Sequence, residues 1–431
     1  MGKTLLARSS TVFGHLFRNY DGPAFAVRLW DNSTWRMAAD AEPVFTLVLR
    51  EPEALAALVA HPSEITMGEA FVRGDLDVEG DLFSAFAVAE HLLGQPRSMR
   101  QVLAERVGGT FAEAALWMRH GRRNSHRRDA ASIAYHYDQP VEFYRPWLGR
   151  TLAYSSGYFC DAQQPLDEAQ ERKLERICHK LRLGPEERFL DIGCGWGSLV
   201  LHAGSVCGAT ARGVTLSKRQ AATGRARIAN AGLECRCAIE FLDYRELERE
   251  RGSFDKIASI GMFEHVGLRN LPLYFGIAAR LLRPGGLMLN QGIVRAETSP
   301  PRASSFIERS VFPDGRLVTL AQVIAAAEGQ GLEVRDVENL REHYALTLRQ
   351  WVIGMQQNAG ELLRIVPETT YRTWLLYMAG SAAAFQRGDL ATHQILFARP
   401  DRGACGLPLM RESGTEGPAP EIFSCAPHAR L

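Results

Sequence analysis

The chain has 431 residues, 46% of them apolar, which suits a globular protein of two or three domains with a large core. Its 50 Lys and Arg residues balance 49 Asp and Glu residues, so net charge indicates neither nucleic-acid binding nor attraction to anionic membranes. Eight cysteines without zinc-ligand spacing exclude a disulfide framework, predict no metal site and favour a reducing, cytoplasmic compartment. The sequence has neither a signal-peptide pattern nor a run of about 18 apolar residues, so secretion and membrane insertion are not expected.

The first 92 residues are predicted to form a small α+β domain. Short alternating runs at Phe25 to Leu29 and Phe45 to Leu49 are typical of strands, and Glu53 to Val59 is typical of a helix. Gly68 to Gly80 follows, with the pair Gly-Asp repeated, and the mix of these segments is typical of a small α+β domain.

Two segments are expected to lie outside the compact domains. Residues 93–129 are predicted to be a linker or a helical hairpin that ends in a basic run, His120 to Arg128. This run is either a solvated interdomain segment or a contact for phosphate headgroups. Residues 399–431 are rich in Gly, Pro and Ser, which predicts a disordered tail.

Residues 130–398 are predicted to be one α/β domain, because candidate strands alternate with helical segments. This alternation indicates a doubly wound sheet with right-handed crossovers. The predicted strands are Phe189 to Ile192, Ala211 to Val214, Ile239 to Leu242, Lys256 to Ile260, Gly286 to Gln291 and Ile395 to Ala398.

The strongest local signal is a glycine-rich turn between a strand and a helix. The strand that begins at Phe189 leads into Gly193, Gly195 and Gly197, with the spacing G-x-G-x-G rather than the G-x-G-x-x-G of dinucleotide folds. Asp191 lies at the end of the strand. Because glycines let a backbone approach a ligand closely, the combination predicts a site for S-adenosylmethionine, which has no pyrophosphate to cradle.

The next two strands supply further cofactor candidates. After the second strand, Thr215 and Gln220 are the polar residues where many nucleotide sites place an acid for the ribose hydroxyls. After the third strand, Asp243 is expected to bond the adenine amine and Tyr244 to stack on the adenine ring. An ordinary core aromatic is the alternative for Tyr244, and the residues alone leave both interpretations open.

Several motifs in the same order resemble the cyclopropane-fatty-acyl-phospholipid synthase family, which includes the mycolic acid cyclopropane synthases. The resemblance covers residues 130–398 and implies a class I methyltransferase domain that uses S-adenosylmethionine. The segment Gly68 to Gly80 is also similar to the N-terminal lipid-binding domain of the bacterial phospholipid enzymes. The motifs are YSSGYF (154–159), LDIGCGWG (190–197), GVTLS (213–217), DYRE (243–246), GMFEHVG (261–267), FPDG (312–315) and HYALTLRQW (343–351).

The resemblance also implies a mechanism. An alkene attacks the sulfonium methyl group in a dry tunnel, and a bound bicarbonate removes a proton from the resulting cation. By the same match, Tyr154 and Ser155 contact the methionine end of the cofactor. The positions that match the bicarbonate site are Glu264, Tyr344 and the amides of Ser156 and Ile293.

Two positions depart from the family pattern. Ser156 stands where the family has Cys, which is a mild exchange if the backbone amide is the contributing group. Gln291 stands where the family has His two residues before Ile293, and an amide side chain cannot carry charge. Whether His265 replaces that imidazole or is a structural histidine is open. The segment His136 to Asp138 is present and is expected to help cover the acyl tunnel.

The expected activity is transfer of the methyl carbon of S-adenosylmethionine to double bonds in the acyl chains of membrane phospholipids, giving a cyclopropane. The alternative is an acyl C-methyltransferase that gives a methyl-branched unsaturated chain, and Glu264 fits both reactions. A non-catalytic lipid-binding protein is disfavoured by the intact cofactor motif. The expected partners are unsaturated phospholipid acyl chains and, transiently, the inner face of the membrane. Nucleic acid is not expected, and a homodimer is left open.

Overall fold

The computed structural model describes residues 10–38, 40–59, 63–94, 139–298, 306 and 317–409. Three segments singled out in the sequence lie outside these residues: the basic run His120 to Arg128, the segment His136 to Asp138 and the motif Phe312 to Gly315. Of the predicted disordered tail, residues 399–409 are described. They form a turn, and the apolar side chains of Cys405 and Leu407 pack against the core. Removing these side chains from water is favourable, so it holds the segment on the domain.

The first described unit is a four-stranded sheet with helices, in the strand order β2-β1-β3-β4. β1 runs parallel to β3, which places Phe25 beside Phe45 with their rings stacked 5.3 Å apart. A helical segment at residues 10–16 comes first. The strands are β1 (Phe25–Arg28), β2 (Thr34–Arg36), β3 (Phe45–Leu49) and β4 (Leu76–Gly80), and the helices are α1 (Pro52–Val59), α2 (Glu64–Arg73) and α3 (Leu82–Gly94).

The second unit is built on a seven-stranded sheet in the order β10-β11-β9-β8-β5-β6-β7. Its neighbouring strands run parallel, except that β11 is antiparallel to both β9 and β10. The six predicted strands are confirmed, and β10 was missed because its sequence is mostly polar. The strands are β5 (Arg188–Ile192), β6 (Thr210–Thr215), β7 (Cys237–Phe241), β8 (Phe254–Ile260), β9 (Leu282–Arg295), β10 (Glu333–Asn339) and β11 (Leu390–Ala398).

Helices connect these strands and cover the sheet, as the α/β prediction requires. The helices α10 and α12 pack against each other and, with α4, enclose an apolar cluster that includes Trp147, Trp351 and Met378. The helices are α4 (Val141–Leu148), α5 (Leu166–Leu181), α6 (Ser198–Ser205), α7 (Lys218–Asn230), α8 (Leu271–Leu281), α9 (Leu320–Glu328), α10 (Arg341–Gln357), α11 (Ala359–Ile365) and α12 (Glu368–Arg387). Short 3₁₀ helices lie at Tyr244–Arg249, Phe263–His265 and Leu268–Asn270.

One buried arginine joins the two units. Arg372 of α12 donates to the carbonyl oxygens of Phe71 at 2.6 Å and Leu76 at 3.0 Å, and it pairs with Asp77 of β4. The guanidinium is thereby satisfied although it is buried, so replacing it would remove hydrogen bonds that link α12 to α2 and β4. The predicted boundaries at residues 92, 129 and 398 stay predictions. Among the helices described, none combines the length and the apolar character needed to cross a membrane.

Candidate active site

The glycine-rich turn after β5 opens onto a cavity. Gly193, Gly195 and Gly197 have φ values of +82°, +54° and +82°, a region that favours glycine. The amides of Gly193 and Cys194 donate to the carbonyl oxygen of Val214 at 2.9 and 3.0 Å, which fixes the turn to β6. A Cβ atom on Gly195 would meet no described atom within 4 Å, because it would extend into the cavity that this residue lines.

Gly197 has a different role. It is the residue before α6, and a Cβ atom there would lie 2.3 Å from Cδ1 of Ile239. Glycine is therefore needed for α6 to pack closely on β7. Within the described residues Gly197 lies outside the cavity lining, so the prediction that it contacts the cofactor stays a prediction.

Most of the predicted cofactor residues converge on this one cavity. They come from the loop before α5, from the turn after β5 and from the ends of β6 and β7. Open α/β sheets bind their ligands at this edge, outside the carboxyl ends of the strands. Eight of the ten residues line the cavity, namely Tyr154, Ser155, Asp191, Gly193, Gly195, Thr215, Gln220 and Tyr244.

Thr215 and Gln220 form a hydrogen-bonded unit at the end of β6. The Thr215 hydroxyl donates to Oε1 of Gln220 at 2.8 Å and accepts from the Ser217 amide at 3.2 Å. The Ser217 hydroxyl oxygen accepts from the Gln220 amide at 3.2 Å and so caps α7. Because its oxygen is held by Thr215, Gln220 offers its side-chain nitrogen as the donor to a ligand.

Asp243 and Tyr244 differ in their surroundings. Tyr244 lines the cavity, and its ring lies edge-on to that of Tyr274 with 5.6 Å between centroids. Asp243 begins the following 3₁₀ helix, and its two carboxylate oxygens accept from the Arg245 guanidinium at 2.9 and 2.6 Å. The protein thus already satisfies this carboxylate, and a bond from Asp243 to the adenine amine stays a prediction.

Lys173 is a cavity residue that the sequence reasoning missed. Its Nζ donates to the Ser155 hydroxyl at 2.9 Å, and Gln170 of the same helix donates to the Ser155 carbonyl oxygen at 2.9 Å. Burial lowers the pKa of Lys173 to about 7. The sequence contains a signal for this residue, since Lys173 interrupts the apolar stripe of α5 beside Leu174 and Ile177.

Asp191 shares the buried environment of Lys173. Its Oδ1 has no hydrogen-bond partner among the described residues. Burial raises the pKa of Asp191 to about 7, and the charge of Lys173 works against that rise. A buried acid and a buried amine in one cavity suit a ligand that carries both charges, as the amino acid end of S-adenosylmethionine does.

Glu264 lies in the 3₁₀ helix directly after β8. Its Oε1 accepts from the Ile293 amide of β9 at 2.8 Å, while Oε2 is buried and has no partner in the described part of the chain. Burial raises the pKa of Glu264 to about 7, and the bond from Ile293 works against the rise. A carboxylate with one oxygen fixed and the other open is suited to take up a proton.

Gln291 is paired across the sheet. Nε2 of Gln394 donates to Oε1 of Gln291 at 3.0 Å, and the two residues are register partners in β11 and β9. The Gln291 carbonyl oxygen accepts from the Gly261 amide at 2.8 Å, which holds the segment containing Glu264 against β9. Gln394 was not predicted, because only the pairing of distant strands brings it here. The site therefore contains a neutral amide pair where the family pattern has an imidazole.

Tyr344 lies in α10, and Ser156 lies in the loop that is bonded to this helix. Tyr344 is buried, with its ring 4.8 Å from that of Phe385. The Ser156 hydroxyl donates to the carbonyl oxygen of Gly157 at 2.9 Å, and the Gly157 amide donates to the Thr347 hydroxyl, one turn after Tyr344. The Ser156 side chain thus bonds the backbone of the next residue, and a mild effect of Ser in place of Cys stays a prediction.

The five predicted catalytic residues are not among the described residues that line the cofactor cavity. Met262 and His265, which flank Glu264, do line the cavity. Burial lowers the pKa of His265 to about 4, so its imidazole is neutral at pH 7. His265 thus adds an imidazole near Glu264, but not a positive charge.

An aromatic cluster adjoins both parts of the site. Tyr154 lines the cofactor cavity, and its ring lies 5.1 Å from that of Trp351 and 6.0 Å from that of Trp374. The side chain of Tyr377, in α12, also forms a hydrogen bond with that of Tyr154. Aromatic faces attract cations and apolar groups alike, so this surface suits an acyl chain and a cation formed on it.

This fold and site define a class of enzyme. A seven-stranded sheet with β11 reversed, a glycine-rich turn after β5 and a cavity at the strand ends are those of a class I methyltransferase that uses S-adenosylmethionine. The sequence matches the mycolic acid cyclopropane synthetase family over residues 124–395, and the chain belongs to this family. Residues 12–92 match a domain of unknown function, DUF7884. The predicted family, fold and cofactor are confirmed.

Relatives extend the comparison. The chain is 39% identical to a probable fatty acid methyltransferase of Pseudomonas putida, over 90% of this chain and 95% of the relative. It is 33% identical to the cyclopropane-fatty-acyl-phospholipid synthase of Escherichia coli, over 61% of this chain and 66% of that enzyme. The crystal structure of the mycolic acid cyclopropane synthase CmaA1 complexed with SAH and CTAB superposes with a TM-score of 0.58. The two sequences are 32% identical, and the superposition covers 62% of this chain and 97% of the CmaA1 chain.

Proposed function

We propose that the protein transfers the methyl group of S-adenosylmethionine to the double bond of an unsaturated acyl chain in membrane phospholipids and releases a methyl-branched unsaturated chain. Family membership supports methyl transfer to lipid acyl chains. The Pseudomonas putida relative, which matches 90% of this chain, is a probable fatty acid methyltransferase, which supports a methylated product. The single observation that carries the proposal is the open oxygen of the buried Glu264 carboxylate beside the cofactor cavity.

The first step forms a carbon–carbon bond. The alkene π electrons attack the methyl carbon, the bond from that carbon to sulfur breaks, and sulfur keeps the electron pair as S-adenosylhomocysteine. The second alkene carbon becomes a carbocation. Because an alkene is a weak nucleophile, the site must hold it against the methyl group without water. We place this contact near Tyr154, which lines the cavity and belongs to the aromatic cluster.

The second step removes a proton, and Glu264 is the proposed base. Its Oε1 is held by the Ile293 amide, so Oε2 is the oxygen that accepts the proton. With a pKa of about 7, the carboxylate is largely ionised slightly above neutral pH and is a stronger base than an exposed glutamate. A proton taken from the neighbouring chain carbon leaves its electron pair as a new double bond and gives the branched product.

The surroundings of Glu264 favour a direct base over a bound bicarbonate. The Ile293 amide, a predicted bicarbonate ligand, donates to Glu264. Gln291 shares its side-chain oxygen with Gln394 and brings no positive charge to hold an anion. These residues as placed do not fit a bicarbonate, so the proposed proton transfer runs to Glu264 alone.

A cyclopropane is the second candidate product. It forms when the proton leaves the transferred methyl group and the electron pair closes a three-membered ring. The match to the Escherichia coli synthase supports it. Glu264 and Tyr344, which the family resemblance assigns to the catalytic site, fit this product as well. The two products differ only in which carbon loses its proton, so they share the first step.

Trideuteromethyl S-adenosylmethionine separates the products. The purified enzyme is incubated with this cofactor and vesicles of a monounsaturated phospholipid, and the acyl chains are analysed by mass spectrometry. We expect a chain that retains all three deuterium atoms and still takes up hydrogen on catalytic reduction. Retention of two deuterium atoms in a chain without a double bond would identify the cyclopropane. If no label entered the lipid, transfer to acyl chains would be wrong.

We further propose that the enzyme works from the cytoplasm and binds membranes reversibly, in part through exposed apolar residues that follow the Glu264 segment. Leu268 and Leu273 are about half exposed, at 49% and 50%. We expect vesicle sedimentation to show binding that the double variant Leu268→Ser, Leu273→Ser weakens at least about thirtyfold, since each leucine contributes roughly 1–2 kcal/mol when buried in lipid. The exposed apolar residue Ile353, changed to Ser, is the matched control. Equal binding of all three proteins would contradict this orientation, and a homodimer stays a separate prediction.

A further inference from the structure

Two cysteines and a histidine come together outside the cofactor site. Cys178 lies near the end of α5, His202 lies in α6 and Cys207 follows α6. One potential metal-binding atom from each of the three lies within 4.8 Å of the others. The three residues are separate from the cavity lining described above, so the cofactor does not account for their arrangement.

The spacing and the donor atoms suit a zinc ion. Zinc binds thiolate sulfur at about 2.3 Å and imidazole nitrogen at about 2.0–2.1 Å in tetrahedral geometry, so two ligands of one ion stand roughly 3.5–4 Å apart. Atoms within 4.8 Å of one another need only a small closing movement to reach this geometry. A set of two thiolates and one imidazole is also a zinc ligand set, with the fourth position open to water.

The surroundings indicate that the histidine lacks a partner. Nε2 of His202 is buried and has no hydrogen-bond partner among the described residues. Buried polar atoms are normally satisfied, so an open ring nitrogen on the histidine of this cluster points to a missing ligand. Cys178 and Cys207 are 4% and 8% exposed, which shields a bound ion from solvent.

We propose that Cys178, His202 and Cys207 bind one zinc ion, with water as the fourth ligand. Binding displaces the thiol protons and ties the end of α5 to α6 and to the loop that leads into β6. Because α5 also carries Lys173 and α6 begins at the glycine-rich turn, the ion steadies two elements that position the cofactor site. The ion lies outside the cofactor cavity and takes no part in methyl transfer.

Metal analysis and titration of the full-length protein test this proposal. The protein is purified under reducing conditions, stripped with a chelator and titrated with zinc against a chromophoric competitor. Cobalt is added to a second sample, because a thiolate–cobalt site gives charge-transfer and visible absorption bands without any mutation. The test variants are Cys178→Ser, Cys207→Ser and His202→Gln. The controls are Cys160→Ser and Cys235→Ser, which remove exposed thiols, and His179→Gln, which removes the histidine next to Cys178.

We expect one zinc per chain, thiolate–cobalt bands and a higher thermal midpoint with zinc than without it. Each test variant should bind zinc about 100-fold more weakly, while the three controls bind like the wild type. The proposal is overturned if the reduced wild type binds no zinc, if cobalt gives no thiolate bands, or if the controls lose zinc as the test variants do. A Cys178–Cys207 disulfide that persists under reducing conditions would also overturn it.

Discussion

The cofactor cavity and the adjoining Glu264 region each contain a buried carboxylate whose pKa is raised to about 7. The two carboxylates differ in the charge of the residues around them. In the cavity, Asp191 lies within the field of Lys173, a buried amine whose own pKa is lowered to about 7. In the second region, Glu264 is held by the Ile293 amide and stands near the neutral pair Gln291 and Gln394. One region is built around opposite charges and the other around neutral donors.

The difference matches what each region is proposed to bind. The amino acid end of S-adenosylmethionine is a zwitterion, and a buried acid and amine complement it. An acyl chain is apolar, and positive charge arises on it only during the reaction, so a fixed cation would oppose the step that forms the carbocation. A carboxylate without a fixed counter-ion both stabilises that charge and accepts the proton.

The largest effect is expected in the cofactor cavity, at Gly195. Gly195→Val should abolish measurable binding of S-adenosylmethionine, because its side chain would occupy the open space beside the turn and would also strain a backbone with φ of +54°. Calorimetry measures the affinity, and circular dichroism checks the fold. Gly360→Val, at a helical position with open space around it, is the control. Unchanged affinity in Gly195→Val would refute the assignment of this cavity.

Glu264→Gln should stabilise the protein at alkaline pH. Burial raises the pKa of Glu264 from 4.5 to about 7, so the folded state favours the protonated form and stability falls as pH rises through 7. The shift corresponds to about 3 kcal/mol of unfolding free energy above pH 8, which a neutral glutamine removes. Urea unfolding at pH 8 and pH 5 measures this gain, which should shrink at pH 5. An equal gain at both pH values would contradict the raised pKa.

Lys173→Met should weaken the use of S-adenosylmethionine about tenfold, because a charge-assisted hydrogen bond contributes roughly 1.5–3 kcal/mol. The change should appear in KM, with kcat nearly unaffected, since Lys173 bonds Ser155, which is predicted to contact the methionine end of the cofactor. Lys173→Arg keeps the charge and should recover part of the affinity. If KM is the same in Lys173→Met and the wild type, the charged pair is structural and does not bind the cofactor.

Gln291→His is expected to have the smallest effect on rate, within about threefold, because the neutral pair is only one part of the shell around Glu264. The informative readout is dependence on bicarbonate. The wild type should be insensitive to added bicarbonate, whereas an imidazole at position 291 supplies a donor that can hold the anion. Gln394→Leu in the same background removes the competing amide. A wild type that stops working without bicarbonate would reverse the proposed choice of base.

The cofactor region could be predicted because its signals are local. The turn at residues 193–197 and the strands around it are short, apolar or glycine-rich runs, which sequence patterns describe well. The burial of Lys173 could also have been predicted from a local pattern, since a lysine within the apolar stripe of a helix indicates a buried charge. Asp243 shows the limit, because its pairing with Arg245 depends on side-chain geometry after the strand ends.

The second region could be predicted only through family resemblance. Glu264, Ile293 and Gln394 are brought together by the pairing of β8, β9 and β11, and no spacing in the sequence encodes that register. The cluster of Cys178, His202 and Cys207 was missed for the same reason. Its members lie on two helices and a loop, with none of the spacings typical of zinc motifs.

The central claim is that Glu264 itself accepts the proton, and the pH dependence of kcat tests it most directly. With saturating S-adenosylmethionine and unsaturated phospholipid vesicles, kcat of the wild type should fall as pH drops through about 7, because the base must be ionised. Glu264→Gln should bind the cofactor normally, turn over about 100- to 10,000-fold more slowly and show no such fall. Full turnover in Glu264→Gln, or an unchanged pH profile, would contradict the claim.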